Sequence, residues 1–265
     1  MKVIYSLSTA PYYAKNPHGD FALERFELYT AAISSLVRRK AGDTTIMHCD
    51  SRGAKYLDKM GLNGLWSEVK TTIPDDLDGI NPQMFWAAGK LFALARETCP
   101  LLMLDTDFIA WHLPQLECLT AAHREDLSLK IYPPVGTFKM KSDYKFTPMN
   151  SARPLNTAFL YLPDEDFKRL YVESSMSFMK SAIDCDDGLA YMVFAEQRLL
   201  AILAEHERIE TRTILDIRDL HNQESYTHLW GAKRVMRKNP AAMERFCEKC
   251  RMRIRKDFPE WEHIM

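Results

Sequence analysis

Apolar and polar positions follow two rhythms along the first hundred residues. Val3-Ile4-Tyr5-Ser6-Leu7 is β-branched and apolar and predicts a first strand. A polar, proline-containing loop is expected from Ser8 to Gly19, with Asp20 placed to cap the next helix. Phe21, Leu23, Phe26, Ile33, Leu36 and Val37 then fall on one helical face. Arg38-Arg39-Lys40 suits the negative end of that helix dipole, and Gly42 is placed to end it. Thr44 to Cys49 predicts a second strand, and Asp50-Ser51-Arg52-Gly53 opens a short helix over 54–60. A short strand is expected over 65–69. Residues 71–82, with two prolines, three aspartates and a glycine, predict a loop. Gln83 to Glu97 reads as a helix whose buried stripe is Phe85, Ala88, Leu91, Phe92 and Ala95, broken by Pro100. Leu101-Leu102-Met103-Leu104 is apolar throughout, as expected of a parallel strand covered on both faces.

Strand, helix, strand, helix, strand over residues 1–104 predicts an α/β fold with a Rossmann-like, mainly parallel central sheet flanked by helices. The second half is less regular. Pro133, Pro134, Gly136, Pro148 and Pro154 make residues 128–155 loop-rich with short strands. Thr157 to Leu162 predicts a strand, Asp164 to Met179 and Glu196 to Glu207 predict helices, and 232–256 predicts a basic helical tail. There is no internal repeat and no evident interdomain linker.

Composition narrows the function classes. The 265 residues are 46% hydrophobic, which suits one large domain with a substantial core. Lys+Arg 35 against Asp+Glu 36 gives a net charge of −1, so the chain is no polycation built to wrap nucleic acid. No run of 18 apolar residues predicts a transmembrane helix, and the first apolar stretch is too short for a signal peptide. Six cysteines are sparse for this length, so free thiols and a cytoplasmic setting are expected. Cys247 and Cys250 form a lone CxxC in a helical stretch and read as two helix residues one turn apart. Between Lys233 and Lys256 there are ten basic residues against two acidic, interleaved with Met243, Phe246, Met252 and Ile254. That pattern suits peripheral contact with an anionic membrane surface; the plainer reading is a solvated face packed on the domain.

The strongest chemical feature is Leu104-Asp105-Thr106-Asp107-Phe108, two carboxylates one residue apart at the end of an apolar strand. Ligands of open α/β sheets bind beyond the carboxyl ends of the strands. Burying two carboxylates there without a partner is costly, and a divalent cation shared with a substrate phosphate is the simplest partner. The alternative is a pair of exposed turn aspartates.

The order and spacing of several motifs over residues 1–235 resemble the GT-A fold nucleotide-sugar glycosyltransferases, in the neighbourhood of glycosyltransferase family 8 and related polysaccharide-synthesis enzymes. Residues 1–8 resemble the strand and loop that hold the nucleotide base, here with Ser6 and Ser8. Cys49-Asp50 is similar to the second-strand end whose acidic residue touches base or ribose; Asp50 reads equally as a helix N-cap. Phe85-Trp86-Ala87-Ala88-Gly89-Lys90-Leu91 resembles the helix that carries a cation, Lys90, before the DxD strand. Asp105-Thr106-Asp107 matches the DxD motif. Asn156-Thr157-Ala158 resembles the Asn-Ala-Gly strand start that lines the donor sugar, and Glu196-Gln197 the Asp-Gln pair beneath it. His228-Leu229-Trp230-Gly231 resembles HxxG, whose histidine is a metal ligand. The Lys-Pro-Trp that often follows is absent, with Lys233 and Arg234 near its lysine.

The resemblance implies a catalytic domain over 1–231, with a nucleotide-binding half (1–107), a donor-sugar and acceptor half (108–231) and a basic helical extension over 232–265. It implies a Mn²⁺ (or Mg²⁺) ion on Asp105, Asp107 and His228. Ser6, Ser8, Asp50, Lys90, Asp105, Thr106 and Lys233 would hold the nucleotide-sugar, a UDP-sugar by preference, with Asn156, Glu196 and Gln197 at the reacting sugar. Transfer would go, with retention, to a glycan, polysaccharide or lipid-linked acceptor. Two alternatives stay open. One is a relative that binds nucleotide-sugar without turnover. The other is a phosphatase of the haloacid dehalogenase type, whose Asp-x-Asp normally follows the first strand of the domain. Of the tryptophans, Trp86, Trp111 and Trp261 are expected in the core or an interface, and Trp230 is the best stacking candidate. His48, His112, His123 and His206 read as structural.

Overall fold

The structure, a computed structural model, describes all residues except 148–150, 186–187 and 221–223. Pro148, counted above among the loop residues, lies outside the described residues. Among the described residues seven strands form one sheet: β1 (Lys2–Leu7), β2 (Thr44–Cys49), β3 (Glu68–Thr71), β4 (Leu101–Leu104), β6 (Leu119–Ala121), β7 (Phe159–Leu162) and β8 (Thr211–Thr213). Their order is β3-β2-β1-β4-β7-β6-β8. β3, β2, β1 and β4 are parallel neighbours, β7 is antiparallel to both β4 and β6, and β8 runs parallel to β6. The sheet is therefore mostly parallel, with β7 reversed. A second, two-stranded ribbon pairs β5 (Phe108–Ala110) with β9 (Tyr226–His228).

Helices α1 (Ala10–Lys15), α2 (Arg25–Lys40), α3 (Ser51–Lys59), α4 (Ala88–Arg96) and α5 (Glu165–Ser181) precede a continuous helical stretch of α6 (Gly188–Val193), a π segment (Phe194–Arg198) and α7 (Leu199–His206). α8 (Ala232–Lys238) and α9 (Pro240–Asp257) follow. β4 is buried in every residue, which its uniform apolarity requires. One core cluster packs α4, α5 and α6–α7 on one side of the sheet; another lies under α2 and α3.

The expected loop from Ser8 to Gly19 contains α1, with Pro11 in its first turn. Asp20 is not the cap of α2. Residues 20–24 have no helical backbone, Phe21 packs edge-on against Tyr12 and Tyr56, and Glu24 and Glu27 form a reciprocal capping box. The helix expected from Gln83 starts only at Ala88. The Asn81 side chain accepts from the backbone of Gln83 at 2.9 Å and holds a turn ahead of it. The third strand begins at Glu68, because Asn63–Leu65 takes up a 3₁₀ turn.

The C-terminal helices belong to the body of the protein. Cys247, Cys250 and Ile254 of α9 share a core with Phe26, Tyr29 and Ile33 of α2, with Ile109 of the small ribbon and with Leu229 just after it. Both cysteines are buried, and burial pushes the Cys250 thiol up to about 12, so the CxxC is a packing feature. Much of the tail's positive charge is paired: Arg237 with Glu24 and Glu27, Arg251 with Glu244 and Glu248, Arg255 with Glu262. Among the described residues no helix is long and apolar enough to cross a membrane.

Candidate functional site

The carboxyl end of β4 opens into a cavity of about 370 Å³. Asp105 leaves the strand with its N–H still donating to the Ala158 carbonyl (2.9 Å), and a turn closes when the Phe108 N–H reaches the Asp105 carbonyl (2.9 Å). That turn sends the chain into β5. The β5–β9 register sets Phe108 opposite His228, and the Leu229 N–H donates to the Asp107 carbonyl at 3.3 Å. An imidazole from late in the chain is thus delivered beside the two carboxylates.

One ligand atom from each of Asp105, Asp107 and His228 lies within 4.8 Å of the others. His228 Nε2 is 3.6 Å from Asp107 Oδ2. Burial lowers the His228 pKa, and the two aspartates oppose this without reversing it, which favours the neutral ring. Two carboxylate oxygens and one imidazole nitrogen so placed could hold a metal ion. Phe108 packs against the His228 ring (5.4 Å), and Trp230 stacks on it (5.8 Å, 16° between planes). Trp230 sits at φ 32°, a left-handed conformation uncommon for a bulky residue, and its other ring neighbour is the buried His123 (4.6 Å).

Two lysines serve the carboxylates. Lys90, on α4, is buried and bonds Asp105 Oδ1 at 2.8 Å, Glu196 Oε1, the Thr157 carbonyl at 3.1 Å and Thr157 Oγ1 at 3.2 Å. Burial disfavours its charge, but Asp105 and Glu196 outweigh burial and raise its pKa. Burial likewise pushes Asp105 up, and Lys90 outweighs it, so Asp105 is held below the usual carboxylate range. Lys233, on α8, is partly exposed and bonds Asp107 Oδ2 at 2.8 Å.

Glu196 and Gln197 stand on the π segment. A π turn displaces backbone carbonyls from the regular ladder, and here neighbouring groups receive them. Ser175 and Tyr171 of α5 donate to the carbonyls of Ala195 (2.8 Å) and Glu196 (2.7 Å), and the Leu155 N–H donates to that of Gln197 (3.1 Å). The widened turn aims Glu196 at Lys90 and Thr157, and its Oε1 accepts from Thr157 Oγ1 at 2.6 Å. Gln197 Oε1 accepts from the Tyr132 hydroxyl at 2.6 Å. Asn156 is locked at both ends: Nδ2 donates to the buried Glu125 (3.0 Å) and Oδ1 accepts from the Ala158 N–H (3.1 Å).

Of the residues singled out in the sequence, Ser6, Ser8, Lys90, Asp105, Thr106, Asp107, Asn156, Glu196, Gln197, His228 and Lys233 all line this one cavity. Asp50 does not. It is fully buried and accepts from the N–H of Thr9 and Gly53 (the latter 2.7 Å) and from the Thr9 hydroxyl (3.0 Å). Its carboxylate is consumed in capping α3 and fixing the loop after β1, so it serves the cavity by holding Ser8 in place (Ser8 Oγ to Oδ2, 3.3 Å). Trp86, expected in the core or an interface, is exposed at the cavity rim beside Ala87. Sequence reasoning missed Thr157, which bridges Lys90 and Glu196 from within the Asn156-Thr157-Ala158 segment, and Glu125 and Tyr132, which orient Asn156 and Gln197. The latter two carry no local motif. Gly89 is required by close approach, since a Cβ there would meet the Ser8 Cβ at 3.0 Å.

No protein-family model matches the chain, and no curated protein matches it.

Proposed function

We propose that this protein is a metal-dependent glycosyltransferase of GT-A type, which moves a sugar from a nucleotide diphosphate-sugar to a glycan, polysaccharide or lipid-linked acceptor. The observation that carries the reading is the convergence of Asp105, Asp107 and His228 on one cavity with two lysines, at the carboxyl end of a parallel strand. The mostly parallel sheet and the motif order of the resemblance support it. A divalent ion held there would offset the negative charge that builds on a departing diphosphate. Lys233, the more exposed of the two lysines, is within reach of the same charge. Lys90 holds Asp105 below the usual carboxylate range and fixes the positions of Asp105 and Glu196. Asn156, Glu196 and Gln197 form the wall facing the donor sugar, pre-oriented by Glu125, Thr157 and Tyr132. UDP is the base we favour, through the resemblance alone.

The test is thermal unfolding with UDP, GDP, CDP and their sugar conjugates, each with Mn²⁺ and with a chelator. A ligand at about 100 times its Kd adds roughly 2.7 kcal/mol. For a domain of this size that is about 2–4 °C. One nucleotide whose shift requires Mn²⁺ supports the reading and selects the donor for an acceptor screen. No shift with any nucleotide removes it, and a shift without turnover on any acceptor favours a binding protein.

A further inference from the structure

Resting on that reading, we infer that Lys233 is a displaceable counter-ion that couples metal binding to diphosphate binding, so that the two ligands occupy the site together. The two lysines of the cavity are not equivalent. Lys90 is buried and bound to Asp105, Glu196 and both oxygens of Thr157, so it is part of the wall. Lys233 is a third exposed, and among the described residues its ammonium is ion-paired with Asp107 Oδ2 at 2.8 Å.

That oxygen also faces His228 Nε2 at 3.6 Å, and Asp107 belongs to the candidate ligand trio. An ammonium hydrogen-bonded to a carboxylate oxygen and a divalent cation on the same carboxylate repel each other, and at a few ångströms in a partly buried site that repulsion is large. The cation therefore binds against Lys233. The lysine has a flexible stem and an open side, so it can turn away from Asp107. A diphosphate in the cavity gives it a new partner.

The formal charge balance sets the direction of the coupling. Asp105, Asp107 and Glu196 against Lys90 and Lys233 leave one negative charge. That balance opposes a diphosphate. With a divalent cation added it becomes one positive charge, which attracts a diphosphate. Removing the Lys233 charge makes the site more attractive to the metal and, once metal is bound, less attractive to the diphosphate. The two affinities move in opposite directions, which loss of a purely structural contact would not produce. By linkage, the factor by which diphosphate strengthens metal binding equals the factor by which metal strengthens diphosphate binding.

The experiment titrates the full chain with Mn²⁺ alone, following free Mn²⁺ by electron paramagnetic resonance, then with inorganic pyrophosphate at fixed Mn²⁺ by calorimetry. Lys233→Met is expected to bind Mn²⁺ alone about tenfold more tightly than the wild type and pyrophosphate about tenfold more weakly. Lys233→Arg, which keeps the charge, is expected to restore both affinities toward wild type. Circular dichroism verifies that each variant is folded. Unchanged or weaker Mn²⁺ binding by folded Lys233→Met overturns the inference while leaving the metal site intact. No Mn²⁺ binding by wild type or variant, with or without pyrophosphate, overturns the metal reading itself and the inference with it.

Discussion

The Tyr171 hydroxyl of α5 donates to the backbone carbonyl of Glu196 at 2.7 Å, and with it one helix holds open the π turn of another. The contact is buried, and the side chain it aims pairs with Lys90. Tyr171→Phe keeps the ring and removes the donor, leaving a buried carbonyl unsatisfied at a cost of about 1–3 kcal/mol. Urea denaturation is expected to show that loss, together with a reduced response to the nucleotide selected by thermal shift. An unchanged midpoint would mean that the π segment holds itself.

Asp107→Ala and His228→Ala are each expected to abolish the Mn²⁺-dependent thermal shift and donor turnover while the protein stays folded. Lys233 is left next to solvent when Asp107 is removed, so no cation is stranded. Full metal dependence in either variant would exclude that residue as a ligand.

Lys90→Met is expected to be far more damaging to stability. Asp105 and Glu196 then lose their shared cation, and breaking a buried pair from one side costs about 3–5 kcal/mol. The exposed pair Arg169–Asp166, one helical turn long, is the control: Arg169→Ala should cost less than about 0.5 kcal/mol. Comparable midpoints for the two variants would show that Lys90 is not the counter-ion of the site.

Stability is expected to fall in mild acid through His48. Burial lowers its pKa to about 4, the nearby Glu97 opposing this only in part; the ring is fully buried, with Nδ1 2.8 Å from Thr72 Oγ1 and Nε2 3.5 Å from Glu97 Oε1. The unfolded chain takes up this proton near pH 6.5, and the folded chain only near pH 4. The stabilisation is therefore complete above pH 6.5 and lost as pH falls from there toward 4, on the order of 3 kcal/mol. Glu97 adds to the loss at lower pH: burial raises it, but Lys70 and Lys2 outweigh burial and hold it below the usual range. Denaturation midpoints between pH 7 and 4 measure the slope, which a His48→Gln variant should flatten.

The strands and helices of the first half were legible because each writes its environment into a local rhythm. Leu101–Leu104 is apolar on both faces because it is central, and Thr44–Cys49 ends where Asp50 caps a helix. The misplaced boundaries are those decided by side chains reaching back to the backbone. Asn81 replaces the first turn of α4, and the Glu24–Glu27 box takes the role assigned to Asp20. The reversal of β7 and the entry of β6 and β8 beside it left no local signature.

The sequence by itself determined an α/β fold, a carboxylate pair at a strand end, and a set of polar motifs in fixed order. Those follow from short-range patterning, which the chain carries in every window. Only the tertiary structure decided what the motifs do to one another. The antiparallel register of β5 and β9 sets His228 beside Asp107. A buried lysine is joined to a glutamate 106 residues away. Asp50 is consumed in an internal cap instead of facing the cavity. Burial and charge pairing are properties of what surrounds a residue in space, so side chains of one type, such as Lys90 and Lys233, come to different burial and different partners although their local sequences do not distinguish them.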